Sequence, residues 1–218
     1  MTVSFDAPYG DSALQLHGAT GYLLAQFLSG YTHKPKSPAD REKGLENRMA
    51  FPLRVLREVK RRLPAGFPVG FRLLLREWVP DGIDLAESFA FARALEAEGV
   101  AYLSPSVGTY NSLFLPEVRK DMSRPGYLVE DTAALTRTVK IPTILSGRVL
   151  TPRFAEKMLA RGVAPLIGLG RGLRTDTDWV RKAGTGEKVT ICVNCNGCLK
   201  RVILDRGFNC ARWPEWVR

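Results

Sequence analysis

The chain has 218 residues, 45% of them hydrophobic and 25% charged, which suits one substantial domain with a buried core and excludes a disordered polar chain. Its net charge of +10 indicates either an anionic partner or a solvated basic face. No apolar run approaches the roughly 20 residues that cross a bilayer, and the N-terminus does not show the basic segment followed by an apolar one that is typical of a secretion signal. We therefore expect a cytoplasmic protein with no membrane partner.

Short apolar runs alternate with amphipathic stretches along the chain. The predicted strands are Ala13–Leu16, Val69–Leu74, Ala101–Ser104, Pro142–Leu145 and Pro165–Gly168. The predicted helices are Asn47–Arg62, Leu85–Glu98, Thr132–Thr138 and Pro152–Arg161. Thr151 is placed to cap the last helix, Pro152 suits its first turn and Gly162 its end. Strands separated by helices indicate βαβ units and hence an α/β fold with a parallel sheet.

Two irregular segments are predicted to be functional loops. Thr32–Leu45 is polar and contains two prolines, and Gly108–Tyr127 carries Asn111, Pro116 and Pro125. Both are long for simple connections. Both also lie beyond the carboxyl ends of predicted strands, the side on which parallel sheets and barrels place their ligand sites.

Glycine and arginine follow the last two predicted strands. The sequence SGRV contains Gly147 and Arg148, and GLGRGL contains Gly170 and Arg171. Glycine allows backbone N–H groups to approach a phosphate, and arginine adds a bidentate cation. A single glycine after a strand usually marks only a turn, but two consecutive βα loops with this chemistry favour a phosphate site.

The first predicted strand leads into LHGATGYLL, which contains His17, Thr20 and Tyr22. By composition alone, this histidine is more often a satisfied group at a strand end, and the tyrosine an aromatic residue that packs inward. The residues themselves therefore leave a catalytic role open.

All four cysteines lie near the C-terminus, with the spacing C-x2-C-x2-C-x11-C: Cys192, Cys195, Cys198 and Cys210. Structural zinc sites usually present two separated pairs. A tight run of three with one distant partner is typical of iron–sulfur ligation, so the spacing favours a 4Fe–4S cluster. Zinc and unligated or oxidised thiols remain alternatives. Residues 181–218 carry eight basic and three acidic residues, so much of the excess charge surrounds these thiols.

Five separated segments, in order, resemble the old yellow enzyme family of FMN-dependent NADH:flavin oxidoreductases. HGATGYLLAQFLS is similar to the family's HGAHGYLLxQFLSP, and GLENRMAF to its GGSLENRxRF. VGFRLL carries an arginine on the corresponding strand, and GLGRGLRTDTDW resembles GRPLLADPDW. The cysteine spacing is similar to that of the trimethylamine dehydrogenase and 2,4-dienoyl-CoA reductase branch.

The resemblance implies roles for individual residues. His17 matches the histidine that hydrogen-bonds the substrate oxygen, and Tyr22 matches a tyrosine that supplies a proton. Thr20 stands where relatives carry histidine or asparagine. Arg72 matches the arginine beside the flavin pyrimidine, whose positive charge stabilises the reduced flavin. Gly147, Gly170 and Arg171 match positions that hold the FMN phosphate, and the four cysteines match cluster ligands. Arg148, in the SGRV loop beside Gly147, is a further candidate for cofactor binding.

The resemblance also implies a partial TIM (β/α)8 barrel, because about five βα units are present where eight are needed. Residues 1–183 are interpreted as an incomplete FMN-binding barrel domain and residues 184–218 as an iron–sulfur segment. An unclosed parallel sheet exposes its edges, so we expect a truncated homologue that pairs with a complementing N-terminal half-barrel chain or with a second copy.

The leading hypothesis is an ene-reductase that passes hydride from NAD(P)H through flavin to an activated alkene, such as an enoyl or dienoyl thioester. An amine dehydrogenase-like flavoprotein is the nearest alternative. A non-catalytic iron–sulfur remnant or electron-transfer subunit is another. A zinc-stabilised nucleic-acid binder is disfavoured, because aromatic and basic residues alternate only around Trp213 and Trp216 and no recognition motif is present.

Overall fold

The computed structural model of the protein describes residues 13–34, 38–204 and 209–213. Strands and helices alternate along these residues. The strands are β1 (Leu14–Gly18), β2 (Val69–Leu74), β3 (Leu103–Ser106), β4 (Ile144–Leu145) and β5 (Leu166–Ile167). The helices are α1 (Leu23–Leu28), α2 (Pro38–Arg62), α3 (Leu85–Ala97), α4 (Pro116–Ser123), α5 (Val129–Thr138), α6 (Pro152–Ala160), α7 (Arg171–Thr175), α8 (Trp179–Thr185) and α9 (Gly197–Ile203).

All described strand pairings are parallel and follow the chain order. β1 pairs with β2, β2 with β3, and β4 with β5. An isolated parallel bridge between Leu103 and Thr143 links the two groups of strands, and the Leu103 N–H donates to the Pro142 carbonyl at 2.9 Å. Each connection passes through a helix, as parallel pairing requires. The predicted α/β fold with parallel strands is therefore confirmed.

The core lies between the sheet and the helices that cover one of its faces. Phe71 on β2 packs edge-on against Phe91 on α3, with ring centroids 5.4 Å apart. The buried Ser88 hydroxyl donates to the carbonyls of Leu74 and Leu75 at 2.7 and 3.0 Å, which ties α3 to the end of β2. The alternate residue Arg72 faces the other side of the sheet, because successive strand residues point to opposite faces.

The predicted capping of α6 is confirmed, since the Thr151 hydroxyl accepts from the Phe154 N–H at 3.2 Å. Two loop predictions were wrong in part. Within Gly108–Tyr127 the chain forms α4, which buries Val118. In the segment Thr32–Leu45, residues 35–37 lie outside the described part of the chain, and helix α2 already begins at Pro38 and kinks at Gly44. Among the helices that the structure describes, none has the length and apolar character to cross a membrane.

Candidate functional site

A cavity of about 380 Å³ opens at the carboxyl ends of β2–β5. We call it the anion cavity, because three arginines line it and no carboxylate is found among its described lining residues. The lining residues are Arg72, Ser104, Tyr127, Ser146, Gly147, Arg148, Val149, Leu150, Gly168, Leu169, Gly170, Arg171, Gly172 and Cys192. The structure thus brings together every residue expected to bind the cofactor.

Two donor atoms of Arg148 are suited to bind an anion. Its Nε and Nη1 atoms are buried and have no hydrogen-bond partner, and its backbone adopts a left-handed φ of 61°. Burial, together with the charge of Arg171, lowers the pKa of Arg148. Buried guanidinium nitrogens without partners are costly, and an anion with several acceptor oxygens would satisfy both of them.

Gly147 and Gly170 differ in why glycine is needed at each position. Gly147 has a φ of 90°, and a side chain there would also crowd Leu128 at 3.1 Å. Gly170 has an ordinary negative φ of −99°, and a methyl group there would meet no protein atom within 4 Å. Gly170 is therefore not required by the packing of the protein itself. Its missing side chain leaves cavity space for a bound group.

His17 and Arg72 are register partners on β1 and β2, so the two candidate residues lie side by side at the carboxyl end of the sheet. The His17 side chain is exposed, and its Nδ1 accepts from the Ala19 N–H at 3.3 Å. Partial burial, and secondarily the Arg72 charge, lower the pKa of His17. The imidazole is therefore neutral near pH 7 and can donate a hydrogen bond from Nε2. Arg72 also contacts Ser106, with Nη2 3.5 Å from the hydroxyl.

Tyr22 lies against His17, with ring centroids 5.0 Å apart and the rings nearly perpendicular. Its hydroxyl is 2.7 Å from that of Tyr110, which comes from the loop after β3. Thr20 has a left-handed φ of 61° and bridges to Thr109 of the same loop. His17, Thr20 and Tyr22 do not line the anion cavity. They form a second polar group at the end of β1, next to Arg72.

The four cysteines line a second cavity, here called the cysteine cavity, together with residues of α7. All four are free thiols, and Cys210 is buried with Sγ 3.8 Å from the Thr175 hydroxyl. Among the residues that the structure describes, no three His, Cys, Asp or Glu side chains meet as ligands of one metal ion. Cys192 lines both cavities.

Local contacts fix the start of the cysteine segment, residues 189–213. The buried Asp176 accepts from the Thr190 N–H at 2.8 Å and from Lys182 Nζ at 2.8 Å. Asn194 and Asn196 both have left-handed φ angles, 58° and 54°, as expected for the short turns between the cysteines. The Trp213 indole N–H donates to the Arg174 carbonyl at 2.9 Å. The segment is thus held against α7 and its neighbouring turn.

Three features of the site were not predicted from the sequence. Tyr110 and Tyr127 were seen only as parts of a functional loop, and the contact of Arg171 with the cysteine segment was not anticipated. Tyr127 lines the anion cavity, and burial raises its pKa although three arginine charges oppose that rise. For Tyr110 and Tyr127, the one signal in the sequence was their position in the loop Gly108–Tyr127.

Comparison with known proteins decides the family. The model of the NADH:flavin oxidoreductase / NADH oxidase family matches residues 9–189. The chain belongs to this family. It is 38% identical over 208 residues to an NADH oxidase of Thermoanaerobacter brockii, covering 92% of this chain and 31% of that protein. It is 29% identical over 228 residues to a cinnamate reductase of Clostridium sporogenes, covering 96% of this chain and 34% of that protein.

A solved structure of a 2-naphthoyl-CoA reductase has the same fold. The TM-score is 0.84 at 25% sequence identity, and the match covers 94% of this chain and 31% of that one. The chain therefore spans about a third of the length of these relatives. The family resemblance is confirmed, as is the relation of the parallel α/β fold to this family.

Proposed function

We propose that this chain carries the FMN site of a flavin-dependent oxidoreductase. The observation that carries the proposal is the anion cavity, in which Arg148 keeps two buried donor atoms without partners beside Arg171. The residues present suit the group: Arg148, Arg171 and the open backbone at Gly170 would hold the phosphate, and Arg72 would contact the ring system. Bound FMN supplies a carrier that accepts hydride from NAD(P)H and passes it on.

The residues at the end of β1 would then act on the substrate. His17, neutral near pH 7, would donate a hydrogen bond to a carbonyl oxygen and draw electron density from the conjugated alkene. Tyr22 would give its phenolic proton to the alkene carbon next to the carbonyl group. The phenolate left behind would accept a hydrogen bond from the Tyr110 hydroxyl, 2.7 Å away. Thr20, which replaces a larger group of the family pattern, would leave more room beside the substrate.

An activated alkene is the substrate class that this arrangement suits best. A hydrogen-bond donor next to a proton donor matches an α,β-unsaturated carbonyl compound, such as an enoyl or dienoyl thioester. The similarity to a cinnamate reductase and to a 2-naphthoyl-CoA reductase supports the same class. Amine oxidation would have no evident use for a phenolic proton donor paired with a second tyrosine.

We further propose that the four cysteines hold a 4Fe–4S cluster. The thiols line one cavity, and two backbone segments contribute them. In a four-iron cluster each cysteine would bind a different iron, so the four thiols need only line one cavity rather than converge on a single ion. The cluster would lie beside the anion cavity, since Cys192 lines both.

The sheet supports a proposal about partners. Within the described residues, β1 pairs only with β2 and β5 only with β4, and Gln15 and His17 on the inner face of β1 are exposed. Free edges of a parallel sheet favour further pairing. We propose that further βα units complete the barrel, supplied by a complementing half-barrel or, failing that, by a second copy.

Anaerobic purification followed by cofactor analysis tests this function. We expect equimolar FMN, four irons and NAD(P)H-dependent reduction of an enoyl thioester by the completed barrel. Tyr22→Phe should slow alkene reduction by roughly 10- to 100-fold while NAD(P)H still reduces the flavin. Iron without flavin would indicate an electron-transfer subunit instead, and zinc without colour would refute both the flavin and the iron–sulfur proposals.

A further inference from the structure

Arg171 lies between the anion cavity and the cysteine cavity, as Cys192 does. It lines both. Its Nη1 donates to the Oδ1 atoms of Asn194 and of Asn196, the latter at 3.4 Å. These two asparagines flank Cys195. The cysteine segment therefore provides the acceptors that orient one of the cations of the anion cavity.

The geometry points to an active contribution by these asparagines. An arginine that nothing holds loses side-chain rotamer freedom when it binds an anion, and this loss weakens binding. Acceptors that hold it beforehand remove part of this cost, as preorganisation does in general. Asn194 and Asn196 are neutral, so they hold the guanidinium without cancelling its charge, which a carboxylate would do.

The backbone of the segment is shaped for this contact. Both asparagines adopt left-handed φ angles of 58° and 54°, a conformation that asparagine tolerates better than most residues. Their side chains thereby turn to the same guanidinium nitrogen from either side of Cys195. Many other residues at these two positions would leave the cysteine spacing unchanged, so the spacing alone does not require asparagine there.

We infer that Asn194 and Asn196 are positioning residues for the anion cavity, and that through Arg171 anion binding and the conformation of the cysteine segment favour each other. The inference rests on the proposed function of the cavity. Linkage is reciprocal: if the asparagine contacts strengthen anion binding, a bound anion must strengthen the asparagine contacts to the same extent. No direct contact between the anion and the cysteine segment is needed.

A double-mutant cycle with inorganic phosphate as the probe tests this. Titration calorimetry on the full chain should show that Asn194→Ala together with Asn196→Ala weakens phosphate binding about tenfold. In an Arg171→Met background the same pair should change the affinity by less than about twofold, because the residue through which they act is gone. Asn111→Ala, a surface asparagine in another loop, is the matched control and should leave the affinity unchanged.

A second readout, on the chain prepared without a cluster, follows Cys195, which is exposed and lines the cysteine cavity. Saturating phosphate should slow its reaction with iodoacetamide about fivefold or more, as measured by peptide mass spectrometry, and the asparagine double variant should abolish this protection. Equal losses in both arginine backgrounds, or no protection of Cys195, would overturn the inference while leaving the anion site intact. A wild-type chain that binds no phosphate would overturn the anion site and this inference together.

Discussion

The hydroxyl groups of Tyr22 and Tyr110 lie 2.7 Å apart, although the two residues are separated by 88 positions in the chain. β1 and β3 are not neighbours in the sheet; β2 lies between them. The loops that follow the two strands meet over the end of β2, where Thr20 bridges to Thr109. A proton donor at this site is thereby paired with a second phenol, and both are exposed to solvent.

The tyrosine pair gives the first prediction. The hydrogen bond to Tyr22 raises the pKa of Tyr110, so Tyr22→Phe should return the Tyr110 pKa towards its ordinary value. Ultraviolet difference titration of tyrosinate absorbance measures this directly on the chain, with no need for activity. Tyr31→Phe, which removes another exposed tyrosine, is the control. If the Tyr110 pKa is the same in Tyr22→Phe as in Tyr31→Phe, the hydrogen bond between Tyr22 and Tyr110 does not form.

Arg148 should lower the stability of the ligand-free chain and strengthen phosphate binding. Because its buried Nε and Nη1 lack partners and Arg171 repels it, Arg148→Met should raise the melting temperature of the ligand-free chain by about 2–6 °C. The same change should weaken phosphate binding roughly 10- to 100-fold, because a charge-assisted contact is lost. Calorimetry and thermal unfolding measure the two effects. Arg153→Met, at an exposed position of α6, should change neither, and a loss of stability in Arg148→Met would contradict the role of Arg148.

Gly170→Ala tests whether a bound anion occupies the space next to Gly170. The added methyl group would meet no protein atom within 4 Å, so the free chain should unfold at an unchanged or slightly higher temperature. Phosphate affinity should fall about tenfold, because the methyl group occupies the cavity and overpacks it once the anion is bound. Gly184→Ala, equally free of neighbours on α8, should leave phosphate affinity unchanged. Equal affinities for the two variants would place the anion elsewhere.

Asp176 should confer acid-sensitive stability on the cysteine segment. Burial alone would raise the pKa of Asp176, but the hydrogen bonds from Lys182 and from the Thr190 N–H outweigh it and lower that pKa. A carboxyl group with a depressed folded-state pKa contributes stability above its unfolded value, near 3.8, and loses it as the pH falls through the lowered pKa. Asp176→Asn should therefore lower the melting temperature by about 4–8 °C at pH 7 and flatten its decline below pH 4.

The matched control for this change is Asp178→Asn, because Asp178 is exposed and its ion pair with Arg181 is long, at 3.5 Å. Exposed pairs of this kind contribute little. Thermal unfolding between pH 2.5 and pH 7 compares the three proteins. The same acid slope in Asp176→Asn and in the wild type would remove Asp176 from this role.

Much of the fold could be predicted because its strands are apolar runs between turn residues. β2 has the bounds that its sequence predicted, Val69–Leu74. Helix α4 escaped prediction because it has only eight residues, of which Val118 is the one that is buried, so it offers few apolar positions to mark a helix. The short α7 borders the anion cavity. Both α7 and α8 have too few residues to carry a clear periodic pattern.

The candidate site was predicted only as far as neighbours in sequence determine it. Strand ends followed by glycine and arginine marked the anion cavity, since parallel strands end at one edge of a sheet. The contacts between Tyr22 and Tyr110, and between Arg171 and Asn194, join loops that are distant in the chain. Their meeting depends on sheet order and loop conformation, which local patterns do not contain.

The central claim is that the anion cavity binds FMN through its phosphate. Calorimetric titration of the chain with FMN and, in parallel, with riboflavin tests it most directly. We predict one FMN per chain, bound at least about 100-fold more tightly than riboflavin, with most of this preference lost in Arg148→Met. Equal affinity for the two flavins, or a phosphate preference that survives in Arg148→Met, would contradict the account.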